Sequence, residues 1–151
     1  MKPFSRQRGF SLPEVLIAIS IVGGLSALSF VAFSSFSKRD ALSSSTKAIV
    51  LTLRDARTKT MASVGDSRYG VSFSSDRYTL FKGDSFSGSS PSNQVSLLSS
   101  LVRASSSRQD FIFERVTGNV SSSGTIEVYL ASDPARKNMV QVHGTGLVDV
   151  Q

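Results

Sequence analysis

An uncharged apolar run from Val15 to Phe36 is the feature that most constrains how this chain can fold. A helix of that length extends about 33 Å, which matches a bilayer hydrocarbon core of about 30 Å. The run can therefore span a membrane. The short segment before it carries Lys2, Arg6 and Arg8 and no acidic residue. By the positive-inside tendency, we expect that segment to stay in the cytoplasm while the remainder crosses.

One acidic residue, Glu14, stands where the apolar run begins, within Gly9-Phe10-Ser11-Leu12-Pro13-Glu14. A carboxylate costs about 2.5 to 3.5 kcal/mol at the centre of a bilayer and less near its edge, so such a residue usually has a partner. The sequence therefore predicts that Glu14 has a partner. The alternative is an acid that simply lies at the level of the lipid headgroups.

The string from Arg8 to Ile19 resembles the class III signal of type IV pilins and type II secretion pseudopilins. The resemblance implies that a prepilin peptidase cuts between Gly9 and Phe10, and that the new terminal Phe10 is N-methylated. It also implies that Glu14, the fifth mature residue, pairs with the amino terminus of a neighbouring subunit and sets the register of assembly.

Two other interpretations of the N-terminus remain open. One is an ordinary secretory signal peptide cut near Ser29 or Ser34, and the other is an uncleaved signal-anchor. A secretory signal has an apolar segment of only about 7 to 15 residues. The longer run here, with Glu14 at its start, favours the pilin-like interpretation.

The charge of the chain gives little support to a nucleic-acid partner. The formal net charge of +6 falls to +3 once Lys2, Arg6 and Arg8 are removed with the leader. The chain contains no cysteine, so we expect neither a disulfide nor a cysteine metal site.

A helical pattern continues beyond the apolar run. Apolar or small residues recur at spacings of three, four or seven and form one stripe: Leu42, Ile49, Leu53, Ala56, Thr60 and Val64. The pattern predicts an amphipathic helix over residues 38–65 that Gly65-Asp66 ends.

From Arg68 onward the apolar period changes to two, which is typical of strands. The pattern predicts six or seven antiparallel strands, and the segments that carry it are Tyr69 to Phe73, Tyr78 to Phe81, Val95 to Val102, Phe111 to Phe113, Ile126 to Leu130, Val140 to Val142 and Leu147 to Val150. Polar loops are predicted at 83–93 and 105–107, and turns at 117–119, 123–124, 133–134 and 144–146.

These patterns together predict an α+β fold, in which a long N-terminal helix packs its amphipathic second half on an antiparallel β-sheet head. The head resembles that of minor pseudopilins of the GspH/FimT type. The expected organisation is a leader at 1–9, a transmembrane or filament-core helix at 10–37, an amphipathic helix at 38–65 and a β-rich head at 66–151.

Candidate ligand and catalytic residues are few. His143 is the only histidine, so we expect a surface residue and no zinc site. The oxygen-bearing Asp84, Asp133 and Asn138 are too sparse for the several ligands that calcium takes. No Gly-x-Ser-x-Gly elbow accompanies the many serines, so we expect no enzyme activity and no cofactor.

The basic residues Arg103, Arg108, Arg136 and Lys137 raise DNA binding as an alternative function. Some minor pilins of the FimT type hold DNA through arginines that follow the glycine of the last hairpin. Here Leu147 follows Gly146, and no arginine comes after it. We therefore do not expect a nucleic-acid partner, although Arg136 and Lys137 are the residues that would contact phosphate.

The resemblance implies a structural minor pseudopilin of a type II secretion pseudopilus, or a minor subunit of a type IV pilus. Its partners would be other pilin-type subunits, the prepilin peptidase and an inner-membrane assembly platform. It would be a single-pass protein of the bacterial inner membrane, with its head in the periplasm or outside the cell. The alternatives are a DNA-uptake subunit and a monomeric signal-anchored binding domain.

Overall fold

The computed structural model describes residues 10–151, apart from the side chains of residues 27–32 and 34. The chain divides into two compact units, one ending at Ser37 and one comprising Lys38–Gln151. We call the described part of the first, residues 10–37, the anchor unit, and the second the head unit. Helix α1, Leu12–Met61, contributes to both units.

Within the head unit, α1 buries the predicted apolar stripe. Ile49, Leu53 and Ala56 have no exposed surface, and the Thr60 side chain is equally buried. The helix ends at Met61, four residues earlier than predicted, because Ser63 takes a left-handed φ of 51°. Val64 therefore lies in a short 3₁₀ turn, is 45% exposed and does not extend the stripe.

The head unit contains eight antiparallel strands in two sheets. Sheet A has the order β3-β2-β1-β5, and its strands are β1 Tyr69–Phe73, β2 Arg77–Lys82, β3 Gln94–Leu97 and β5 Asp110–Ile112. Sheet B has the order β4-β6-β7-β8, and its strands are β4 Val102–Ser106, β6 Gly124–Leu130, β7 Asp133–Val142 and β8 Val148–Val150. The predicted α+β class is confirmed.

The single strand predicted from Val95 to Val102 is wrong. That segment forms the end of sheet A and the start of sheet B, because a turn at residues 98–101 separates β3 from β4. The predicted link at 105–107 is also wrong in part, since Ser105 and Ser106 continue β4 and pair with Glu127 and Ile126. Backbone pairing with β6 keeps these serines in a strand, although a serine-rich composition is typical of a loop.

The turn predicted at Asp133-Pro134 lies slightly earlier, at residues 131–132. Leu130 pairs with Asp133, and the register then shifts so that Tyr129 pairs with Lys137. Pro134 therefore falls in a bulge, where a residue without an N–H is tolerated.

Side chains of α1 also make polar contacts with both sheets. Thr60 Oγ1 accepts a hydrogen bond from the Tyr69 N–H at 2.9 Å, at the start of sheet A. Arg54 donates to the Val148 carbonyl at 3.2 Å. Arg57 donates to the carbonyls of Gly118 and Thr145 at 3.2 and 3.3 Å. The helix thus holds the final β7–β8 hairpin through backbone carbonyls.

We expect Leu53→Ala to lower the free energy of unfolding by about 2 to 5 kcal/mol, because Leu53 is fully buried and alanine would leave a cavity. Urea unfolding of the full chain in detergent, followed by near-UV circular dichroism, measures this. Leu51→Ala is the matched control on the exposed side of the same helix, where Leu51 is 65% exposed. An equal loss in both variants would contradict the burial of Leu53 in the core of the head.

We expect Gly146→Ala to lower the free energy of unfolding of the head. Gly146 has a φ of 74°, which alone costs a residue with a side chain about 1 to 3 kcal/mol, and an added Cβ would also overlap the Gly118 carbonyl oxygen. Gly144→Ala is the control in the same turn, since nothing lies within 4 Å of a Cβ built there. The same unfolding measurement compares the two, and equal stability would contradict this close approach.

Candidate functional site

The first turn of α1 positions the candidate assembly residue, Glu14. The Ser11 N–H and the Ser11 hydroxyl both face Glu14 Oε2, at 3.4 and 3.5 Å. The Ser11 carbonyl accepts from the N–H groups of Glu14 and Val15 at 3.0 and 3.2 Å. This is half of a capping box, in which a side chain at the third helical position returns to the N-cap residue.

The polarity of the helix also favours Glu14 at this position. The N-terminal end of a helix carries partial positive charge, so a carboxylate in the first turn is stabilised there. Pro13 is tolerated in the same turn because its missing N–H would have no partner within the helix. Glu14 is nevertheless exposed, and its contacts with Ser11 are long, so it can exchange them for a stronger partner.

The described side chains from Phe10 to Ser26 are all exposed. The large apolar ones include Leu12 at 75% exposure and Ile19 at 64%. The serines of this stretch bond within the helix, since Ser20 donates to the Leu16 carbonyl and Ser26 to the Val22 carbonyl, both at 2.8 Å. Continuous apolar exposure of this kind marks a surface that needs a partner or a membrane.

In the part of the chain that the structure describes, no helix combines the length and hydropathy of a membrane span. The transmembrane role of the anchor unit stays a prediction.

The predicted processing residues are described only in part. Gly9 lies outside the described residues, and Phe10 is 82% exposed immediately before α1. Cleavage after Gly9, methylation of Phe10 and the assembly role of Glu14 therefore stay predictions. The contact between Ser11 and Glu14 was missed, although the spacing Ser-x-x-Glu is the known signature of a capping box.

The basic residues considered for DNA contact do not form one free patch. Lys137 Nζ lies 2.7 Å from Glu127 Oε1, whereas Arg136 is exposed in the bulge of β7. Arg103 donates to the carbonyls of Ser100 and Val102. Of the four residues considered, Arg108 and Arg136 are left without a side-chain ion pair or hydrogen bond among the described residues.

The oxygen-bearing residues weighed for calcium each have a local role. Asp84 lies 3.4 Å from Arg68, and Asn138 donates to Thr46 Oγ1 at 3.2 Å. Asp133 accepts from the Ala135 N–H at the start of β7. Across the described residues, no three His, Cys, Asp or Glu side chains are grouped as a metal site would require. His143 is exposed and lies 3.1 Å from Asp149 in the final hairpin.

Known proteins resemble this chain both in its N-terminal motif and in its fold. Residues 4–29 match the prokaryotic N-terminal methylation motif. The fold is similar to the type IV minor pilin FimU of Pseudomonas aeruginosa, with a TM-score of 0.61 and 12% identity over 77% of this chain and 92% of that one. The chain has a minor-pilin fold and carries the pilin methylation motif.

The fold is also similar to that of a secretion-system protein. The minor pseudopilin EpsH from the type 2 secretion system of Vibrio cholerae matches with a TM-score of 0.55 and 11% identity, over 74% of this chain and 97% of that one. No match was found among curated proteins. The methylation motif contains Gly9, Phe10 and Glu14, which are the residues singled out from the sequence. The chain therefore combines this methylation motif with a fold that it shares with a minor pilin and a minor pseudopilin.

Proposed function

We propose that this protein is a minor subunit of a pilus or secretion pseudopilus, built into a filament after prepilin peptidase removes residues 1–9. The observation that carries the proposal is the exposed apolar surface of the anchor unit, which begins directly after the expected cut. Before assembly this surface lies in the bacterial inner membrane, and in the filament it packs against the same segments of neighbouring subunits.

Glu14 supplies the selective contact in this proposal. Cleavage after Gly9 creates an amine on Phe10, and the amine of one subunit meets the Glu14 carboxylate of the next. Neither charge then has to enter the apolar surroundings alone. The assembly platform extracts the subunit from the membrane, and the pairing fixes its axial register in the filament. The head unit remains outside, where it can contact other subunits.

We expect the mature protein to begin at N-methylated Phe10 only in cells with an active prepilin peptidase. Intact-mass and N-terminal analysis of the chain from cells with and without the peptidase measures this. A product that keeps residues 1–9 in both, or one cut near Ser29 or Ser34, would remove the filament proposal and favour a signal-anchored or secreted domain.

We expect Glu14→Gln to reduce filament incorporation more than tenfold while leaving cleavage intact. Glutamine keeps an oxygen for the Ser11 N–H but loses the charge, and loss of one member of a desolvated ion pair costs about 3 to 5 kcal/mol. The measurement is the fraction of subunit recovered in sheared filaments, relative to the membrane fraction. Ser11→Ala is the control, because it removes the hydroxyl at the cap and keeps the charge.

Equal losses in Glu14→Gln and Ser11→Ala would indicate that helix capping, and not charge pairing, limits assembly. Full incorporation of Glu14→Gln would contradict the assembly role of Glu14 directly.

A further inference from the structure

Strand β3, one of the two edge strands of sheet A, lacks the features that usually protect a free edge. Strand β3 pairs with β2 on one side only. Val95 and Leu97 of this strand are 55% and 72% exposed. A free edge presents unpaired backbone N–H and C=O groups, so proteins commonly protect it with charge, proline or a bulge.

The other edge strands of the described sheets each carry a charged residue. These residues are Arg103 in β4, Asp110 in β5 and Asp149 in β8. Strand β3 has the sequence Gln-Val-Ser-Leu and pairs with β2 in an unbroken register. It lies within residues 85–102, which contain no Asp, Glu, Lys, Arg or His. This edge therefore lacks each of the three protections.

The register identifies the free backbone groups. The Leu98 N–H donates to the Asp76 carbonyl at 2.9 Å, so position 98 faces β2. Backbone groups alternate along an antiparallel ladder, which means that Ser96, two residues earlier, also faces β2. The N–H and C=O groups of Val95 and Leu97 consequently point away from the sheet.

The segment before β3 holds this edge in place. The rings of Phe86 and Phe81 lie 5.5 Å apart in an edge contact, and the Asn93 side chain donates to the Ser87 carbonyl at 2.7 Å. The loop at 83–93 is therefore tied to β2 and to itself. A strand that is already ordered loses less conformational entropy on pairing.

We propose that β3 pairs antiparallel with β3 of a second copy of this chain, about a two-fold axis at Ser96. In this register Val95 lies opposite Leu97 of the other copy, and each such pair exchanges two backbone hydrogen bonds. The two outward-facing residues are placed symmetrically about Ser96, so the edge is complementary to itself. The absence of charge means that the two identical edges meet without like-charge repulsion.

This contact differs in kind from the filament contact proposed for Glu14. A two-fold contact between identical surfaces closes on itself and does not propagate, whereas a filament requires a contact between different surfaces. The pairing at β3 therefore joins two head units and does not depend on the proposed function.

Ser96→Cys in the full chain, purified in detergent and mildly oxidised, tests the register. Residues opposite each other in a non-hydrogen-bonded antiparallel pair have Cα atoms about 4.5 Å apart, within the range that a disulfide spans. The chain has no other cysteine, so any disulfide joins two copies. We expect a disulfide-linked dimer as the main product on a non-reducing gel.

Val95→Cys is the matched control. In the proposed register position 95 faces position 97 and not its own copy, so we expect several-fold less dimer. Random collision would give the opposite order, because Val95 is the more exposed of the two positions. Equal or greater crosslinking of Val95→Cys would overturn the proposal, as would a monomeric Ser96→Cys product.

A second variant removes the backbone contact itself. Val95→Pro deletes an N–H that points away from sheet A, so β3 keeps its bonds to β2 and the unfolding midpoint should change little. Added to Ser96→Cys, it should abolish most of the disulfide dimer. Crosslinking that survives in a folded Val95→Pro, Ser96→Cys protein would show that the copies meet elsewhere, and would overturn the proposal.

Discussion

The burial of one helix face holds the head together. Ile49, Leu53 and Ala56 are fully buried, within a cluster that also contains Val71 of sheet A and Val128 of sheet B. Burial of one large aliphatic side chain contributes about 1.5 to 3 kcal/mol. Without α1, the apolar side chains that both four-stranded sheets pack against this helix would be exposed to solvent. The helix is therefore the element on which the rest of the head depends.

The same helix has opposite surface chemistry in its two units. In the head unit the apolar stripe formed by Ile49, Leu53 and Ala56 is covered by the chain itself, whereas in the anchor unit the described apolar side chains are exposed. A large apolar surface that the chain leaves uncovered marks a site for a partner or a membrane. The uncharged edge at β3 is a second uncovered surface, but its free groups are backbone hydrogen-bonding groups. Each surface thus requires a different kind of contact.

The sequence predicts structure well where one period dominates. The 3.6-residue stripe from Ile49 to Thr60 is buried as predicted. Tyr69–Phe73 forms the predicted strand, but its burial does not alternate, because Gly70 and Ser72 are buried as well. Prediction fails between Val95 and Val102, because Leu98 packs on the core and Val102 enters it from a different sheet. The local pattern of apolar residues from 95 to 102 does not indicate that its first half joins one sheet and its last residue another. The processing residues come from a motif, whereas the Arg57 contacts with Gly118 and Thr145 depend on tertiary structure that no local pattern encodes.

The observed contact of Glu14 with Ser11 is compatible with its proposed assembly role, because the two interactions differ in strength. In the single subunit its carboxylate faces Ser11 at 3.4 and 3.5 Å, which are long hydrogen bonds. A helix cap of this kind stabilises by about 0.5 to 2 kcal/mol, and less when its geometry is poor. A carboxylate and an amine that meet away from water interact far more strongly than they do in water. In the proposed filament, an arriving amine would therefore displace Ser11 at small cost, and until then the cap would hold the carboxylate at the first turn of the helix, where that amine has to reach it.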